Sequence, residues 1–172
     1  MSERGTSRLE PVTQIAYRVD DLHAAVEYWV RHLGVGPFFR IDHPTFKEIL
    51  FEGEPISPNV SLAFAWRGDL QIELMQQHCE TRSAFQARPG HGGVHHVGIR
   101  TTDLAAGQRR LLAAGMRRVQ WATAVNGTKT AFFEGGSMGG MVELIESADK
   151  GVFLTRMQQA ALNWDGSSLY GN

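Results

Sequence analysis

Gln14-Ile15-Ala16-Tyr17-Arg18-Val19-Asp20-Asp21-Leu22 and His96-Val97-Gly98-Ile99-Arg100-Thr101-Thr102-Asp103-Leu104 align without a gap, with arginine, aspartate and leucine at identical offsets. Each copy runs on into an alanine-containing segment of helical periodicity that ends near a glycine, Gly34 in one and Gly115 in the other. Each half also closes on a similar run, Leu70-Gln71-Ile72-Glu73-Leu74-Met75 and Met141-Val142-Glu143-Leu144-Ile145. A duplicated unit creates two equivalent surfaces, so a polar group that one half brings to their junction should be matched by the other. The matched polar positions are Gln14, Glu73, His96 and Glu143, all side chains able to ligate a metal ion.

Working outward, Ile15, Tyr17 and Val19 alternate with Gln14, Ala16 and Arg18, the period of a half-buried strand. Asp20 or Asp21 can cap the helix that follows, where Leu22, Val26, Trp29 or Val30, and Leu33 recur at helical spacing up to Gly34. Short β-type runs fill about 38–74, broken at His43-Pro44, Gly53-Glu54-Pro55 and Arg67-Gly68-Asp69. The second half repeats the plan, with a strand at 94–101, a helix from Asp103 to about Ala114, and strands near 117–122, 129–134 and 141–146. The expected fold is therefore α+β, two tandem βαβββ modules forming a cupped mixed sheet with helices on the outside. Residues 1–12 read as a loose leader, 13–76 as the first module, 77–93 as a connector, 94–147 as the second module and 148–172 as a C-terminal helical extension. In that extension Phe153, Met157, Ala160, Ala161 and Trp164 share one helical stripe, for packing on the body or on a second subunit.

Bulk properties narrow the function classes. Seventeen basic and 18 acidic side chains nearly balance, so no charge footprint points to nucleic acid or an anionic membrane. No apolar run is long enough for a spanning helix and none follows the polar N-terminus as a signal segment would require, so a cytoplasmic protein is expected. The single cysteine, Cys79, excludes an internal disulfide and fits a reducing compartment. With no activating partner in view, it reads as a small part-buried side chain rather than a nucleophile.

Alternation also sorts the four polar candidates. Ile15, Tyr17, Ile72 and Leu74 go to the helix side of their strands, which leaves Gln14 and Glu73 on the opposite face; His96 and Glu143 obey the same rule. If the modules pack side by side, all four line the inner wall of one cup. An imidazole nitrogen, an amide oxygen and two carboxylates suit a divalent ion of borderline hardness (Mn, Co, Ni, Fe or Zn), with about two of six coordination positions left for water or a chelating substrate. Taken singly, such a glutamate would read as a solvated strand face and such a histidine as a satisfied core residue; the duplication is what favours a joint site.

With these residues in hand, the chain resembles the vicinal oxygen chelate superfamily, which includes glyoxalase I, methylmalonyl-CoA epimerase, extradiol dioxygenases and bleomycin-resistance proteins. The resemblance spans about residues 12 to 147. It is nearest to epimerase-like and glyoxalase-like members, through Gly93-Val94-His95-His96-Val97-Gly98-Ile99 followed by Asp103-Leu104, with support from 70–75 and 140–145. It implies paired βαβββ modules, commonly assembled as homodimers, and metal positions falling on Gln14, Glu73, His96 and Glu143. The first of these is often His in the family, and here it is Gln.

Several constellations carry less. His91-x-x-x-His95 has metal-like spacing, but Gly92-Gly93 makes it a loop. Strict alternation sends His95 to the helix-side layer as a structural residue. Gly135-Gly136-Ser137-Met138-Gly139-Gly140 precedes a strand rather than a helix, so it reads as a turn and not a phosphate cradle. Arg18 and Arg100, symmetry mates on the inner face, read either as holders of an anionic substrate group or as strand-end surface charges.

The functional expectation is a metal-dependent isomerase, epimerase or lyase acting on a small carbonyl compound, a thioester or hemithioacetal among them, by removing a proton next to the carbonyl. Glu143 or Glu73 is the expected base, with Glu48 a further candidate because some epimerase-like relatives carry a glutamate thereabouts. The alternatives are an extradiol-type dioxygenase, whose iron site normally needs two His and one carboxylate, and a metal-independent protein that binds a drug-like molecule in the cup.

Overall fold

The computed structural model of the chain describes residues 8–86, 94–136 and 139–171; His91, Gly92-Gly93 and Ser137-Met138 of the stretches discussed above lie outside them. The first half runs β1 (Val12–Arg18), α1 (Leu22–Leu33), β2 (Phe39–Asp42), β3 (Phe46–Phe51), β4 (Glu54–Pro55), β5 (Val60–Arg67) and β6 (Leu70–Gln77). The second runs β7 (Val94–Arg100), α2 (Leu104–Ala113), β8 (Arg117–Ala124), β9 (Lys129–Glu134) and β10 (Met141–Glu146), and α3 (Val152–Leu162) follows.

The repeat holds down to its hydrogen bonds. Asp21 Oδ1 accepts from Ala24 N and Asp103 Oδ1 from Ala106 N, each at 2.9 Å, satisfying an orphan donor in the first turn of α1 and of α2. A side chain from the last strand of each half adds a second cap. Gln76 Oε1 accepts from Leu22 N, and Glu146 Oε2 from Leu104 N, both at 3.0 Å. Gly34 ends α1 in the left-handed region, at φ 62, where a Cβ would be strained.

Among the described residues the strands form one mixed ten-stranded sheet in the order β2-β5-β6-β1-β7-β10-β9-β8-β3-β4. Each half contributes a central parallel pair, β1 with β6 and β7 with β10, and the halves join through antiparallel β1 and β7. One feature breaks the symmetry. β3 and β4 follow β2 in sequence but extend the far edge of the second half, where β3 pairs with β8.

Two helices cover the outer face. Leu22, Val26 and Val30 of α1 pack on Ala63, Ala65, Ile72 and Leu74; Leu104 and Leu111 of α2 pack on Ile99, Ala131, Val142 and Leu144. The inner face carries its own cluster, in which Ile49, Phe51, Val119, Ala122 and Phe132 close over Ala84 and Phe85 of the connector. The connector therefore fills one side of the cup. Its placement is held by polar contacts, since Gln120 Oε1 accepts from Ala84 N at 2.9 Å and Ser83 donates to Gln77 Oε1 at 2.6 Å.

Unlike α1 and α2, α3 lies on the inner side. Strand alternation sends Ala63 and Ala65 of β5 towards α1, whereas Phe64 and Trp66 meet Met157, Leu154, Ala160 and Ala161 of α3. Trp164, placed on the α3 stripe by its sequence spacing, instead packs with Val35 and Phe38 in the α1 layer. The chain after α3 continues along the free edge at Phe38, where Phe38 N donates to Leu169 O and Gly171 N to Phe38 O. Such cover blunts an edge that would otherwise template pairing with another chain. No helix among the described residues is long and apolar enough to cross a membrane.

Candidate metal centre

The seam between β1 and β7 brings Gln14, Glu73, His96 and Glu143 together. In register, Gln14 faces Gly98 and Ala16 faces His96 across the seam. Glu73 lies beside Ala16 through β6, and Glu143 beside Gly98 through β10. The four long polar side chains thus alternate with two minimal ones, and this leaves the space into which they converge. All four are buried. His96 Nε2 lies 3.1 Å from Glu143 Oε2, 3.3 Å from Glu73 Oε2 and 3.3 Å from Gln14 Oε1. Donor atoms about 2.1 Å from a common ion are themselves about 3.0–3.4 Å apart, so the three distances from His96 Nε2 are ones a metal ion could accept, and the Glu73, His96 and Glu143 donor atoms all lie within 4.8 Å of one another.

The hydrogen-bond network leaves acceptors facing one another in this cluster. His95 Nε2 lies 2.6 Å from the carbonyl oxygen of Ala84, which can only accept. With His95 neutral, its Nδ1 then accepts from His96 Nδ1, 2.9 Å away. A neutral His96 consequently turns a bare Nε2 lone pair towards three oxygens. Glu73 Oε2 is moreover buried and accepts no hydrogen bond. Four mutually facing acceptors can be reconciled by a proton or by a metal ion. Burial opposes a charge on His96, but the Glu143 and Glu73 carboxylates outweigh it and push the imidazole pKa up to about 9. Burial likewise raises Glu73 above the usual carboxylate range. A proton on His96 and a metal ion would compete for one place.

Gln71, not singled out by sequence, orients this cluster. Its Oε1 accepts from Gln14 Nε2 at 2.9 Å and from Arg100 Nη2 at 2.5 Å. The Gln14 amide is thereby turned with nitrogen outward and oxygen towards His96. The available signal was alternation, because Gln71 shares a strand face with Glu73.

Other candidates fall elsewhere. Glu48 is exposed on β3, where Ile49 and Phe51 take the inner positions, and it stands apart from the cluster. Arg18 and Arg100 are symmetry mates, but antiparallel β1 and β7 carry them to opposite ends of the seam. Arg100 faces the cavity, whereas Arg18 pairs with Asp20 at the surface, at 3.4 Å. His95 departs from strict alternation. The register slips between Ala16 and Tyr17, and this bulge turns His95 away from the helix side and against His96 and Phe132. Cys79 is part-buried and accepts from Asn59 N at 3.2 Å.

Above the cluster opens a cavity of ≈ 520 Å³. Gln14, Gln71, Glu73, Glu143 and Arg100 line it on the side of the cluster, and further polar groups, Asp42 and Asp149 among them, border it elsewhere. Its walls are largely apolar, with Leu62 and Phe64 from β5, Phe85 from the connector, and Phe153, Leu154 and Met157 from α3.

Residues 13–132 match the family described as Glyoxalase/Bleomycin resistance protein/Dioxygenase superfamily, and the chain belongs to that superfamily. Among solved structures it is similar to methylmalonyl-CoA epimerase from Mycobacterium tuberculosis, at 23% identity and a TM-score of 0.55, over 82% of this chain and 90% of that one. A variant of Streptomyces coelicolor methylmalonyl-CoA epimerase in complex with 2-nitronate-propionyl-CoA gives 21% identity and a TM-score of 0.54, over 82% and 96%. A hypothetical protein from Bacillus halodurans gives 17% and 0.54, over 80% and 94%. At these identities the likenesses establish the fold. No curated protein matches the chain by sequence.

Gly98 yields a direct check on the seam. A Cβ there would lie 2.0 Å from Gln14 Oε1 and 2.8 Å from Gln14 Cβ. The second contact cannot be relieved by turning the amide, so Gly98→Ala must part the strands or expel Gln14. Overpacking of this kind costs about 1–3 kcal/mol, and metal affinity is expected to fall with it. Denaturant unfolding and a metal titration measure both; unchanged metal affinity would show that Gln14 is dispensable to the centre.

Proposed function

We propose that the chain is a divalent-metal-dependent isomerase, epimerase or lyase acting on a small carbonyl compound. The observation that carries this reading is the convergence of Gln14 Oε1, Glu73 Oε2 and Glu143 Oε2 on His96 Nε2, in a geometry that a cation completes. These four residues would hold the ion. When bound, it supplies Lewis acidity towards a substrate oxygen and favours the negative charge that develops there as a neighbouring proton departs.

The remaining chemistry belongs to the chain. Glu143 borders the cavity and takes the proton from the carbon next to the carbonyl, then returns it to the same or an adjacent atom. Glu73 is deeply buried and held towards its neutral form, in which it has no lone charge to take up a proton. Gln14 cannot exchange a proton near neutral pH and serves by position alone. Arg100 steadies negative charge at one side of the floor. The apolar walls exclude water from the carbanionic species, and the family's common homodimer is the proposed assembly.

Hydrogen exchange tests this reading. Chelator-stripped protein is reloaded in turn with Mn, Co, Ni, Fe or Zn, and deuterium uptake at the α-carbon is followed for methylmalonyl-CoA, a glutathione hemithioacetal and smaller acidic carbonyl compounds. Metal-dependent exchange with at least one of them is expected; none with any would end the proposal. Tight binding of a drug-like aromatic molecule to the stripped protein, with no exchange, would favour the sequestering alternative.

A further inference from the structure

Arg100 is a part-buried cation with no carboxylate among the described residues in direct contact. Among the described residues its hydrogen bonding consists of the single donation from Nη2 to Gln71 Oε1, while its Nε is buried and unpaired. A guanidinium has five N–H donors in a planar fork, so most of its capacity is unspent. Burial depresses its pKa, the signature of a charge that has lost water. Glu73 and Glu143 act on it only at longer range, and the Asp149 carboxylate is occupied by Gly151 N and Phe153 N at the start of α3.

Its surroundings are specific. Among the described residues the Nε2 of Gln71, whose oxygen Arg100 holds, has as partner only the weakly accepting sulfur of Met157, 3.9 Å away. Two kinds of donor, a guanidinium fork and an amide N–H, therefore stand side by side on the floor. A divalent ion together with Glu73, Glu143 and Arg100 would leave one net positive charge on that floor, which one monoanion neutralises.

We infer that Arg100 and Gln71 form a carboxylate subsite, and that the ligand is a free, small carboxylic acid with an apolar body rather than a CoA thioester. A planar carboxylate matches the fork in bidentate fashion. The apolar body lies against Leu62, Phe64, Leu154 and Met157. Arg100 is the one Lys or Arg in the lining among the described residues. Asp42 and Asp149 border the same cavity and would repel the several charges of a nucleotide carrier's phosphates more strongly than the single charge of a carboxylate. The inference deepens the proposed function by naming its substrate class and rests on that reading for the reacting end of the ligand, whereas the binding of the acid group stands without it.

The test uses the full chain, stripped of metal so that a carboxylate cannot simply bind an ion. Calorimetric titrations compare 3-phenylpropanoate with its neutral isostere 3-phenylpropanamide. The acid is expected to bind at least about tenfold more tightly, and Arg100→Gln to abolish that preference. Arg100→Lys, which keeps the charge and loses the fork, should retain part of it. The NMR signal of Arg100 Nε should shift on adding the acid and not the amide, which locates binding even if the Gln variant does not fold. Equal affinity for acid and amide, binding of neither, or a preference that survives Arg100→Gln would overturn the subsite. The two proposals fail separately. Acid preference without metal-dependent exchange removes the isomerase and leaves the subsite, and exchange of neutral carbonyl compounds without acid preference does the reverse.

Discussion

Glu143→Gln is expected to abolish turnover while leaving a centre that still binds metal. The amide keeps the shape and one oxygen donor of the carboxylate but cannot accept a proton, so the loss should fall on the chemical step. A positioned acid or base contributes about 10²–10⁴-fold, and excess metal should restore none of it. Gln14→Ala provides the contrast. Gln14 offers a neutral oxygen turned inward by Gln71, so its removal weakens metal binding, and excess metal should bring turnover back. Measuring kcat against added metal for both variants separates the two roles. Equal rescue would make Glu143 a ligand only and pass the base role to Glu73, since Glu48 is exposed on β3 away from the centre.

The second large effect is a reversal of pH-dependent stability by metal. The pKa of His96 is raised from 6.5 to about 9 in the folded protein, with the Glu143 and Glu73 carboxylates overcoming the cost of burial. The metal-free protein therefore has this stabilisation in full below pH 6.5 and loses it as the pH rises through about 9. At about 1.4 kcal/mol per pKa unit it is on the order of 3 kcal/mol, or roughly 6–12 °C in Tm for a chain of this length. Glu73, also raised, acts in the same direction from its ordinary value of 4.5 upwards. An ion competes with the His96 proton, so metal binding tightens over the range in which the metal-free protein weakens. Thermal melts from pH 6 to 9.5 with chelator, and to pH 8.5 with metal, should diverge. A flat profile for the metal-free protein would show that His96 carries no proton there.

How much of this was legible beforehand depends on the range of the interactions involved. The duplicated stretches at Gln14–Leu22 and His96–Leu104 disclosed the two modules because matching strands and capped helices arise from local patterning. The inward facing of Gln14, Glu73, His96 and Glu143 was legible for the same reason, since alternation along a strand is set by the pleat. Gln71 was visible on that face, yet nothing local showed that it would turn the Gln14 amide. His95 was misplaced because a bulge is a property of a strand pair, not of one strand.

The sequence by itself therefore determined the repeated architecture, the caps at Asp21 and Asp103, and which face of each strand carries the polar groups. Only the tertiary structure decided that the four polar groups meet within reach of one ion, because that follows from the β1–β7 register and the small residues Ala16 and Gly98 between them. It also decided that Arg100 and not Arg18 reaches the cavity, because an antiparallel seam sends symmetry mates to opposite ends. The same holds for α3, whose apolar stripe could have met any apolar surface. Its place on the inner face is set by Phe39, Phe64 and Trp66, which come together as one apolar surface only in the folded sheet.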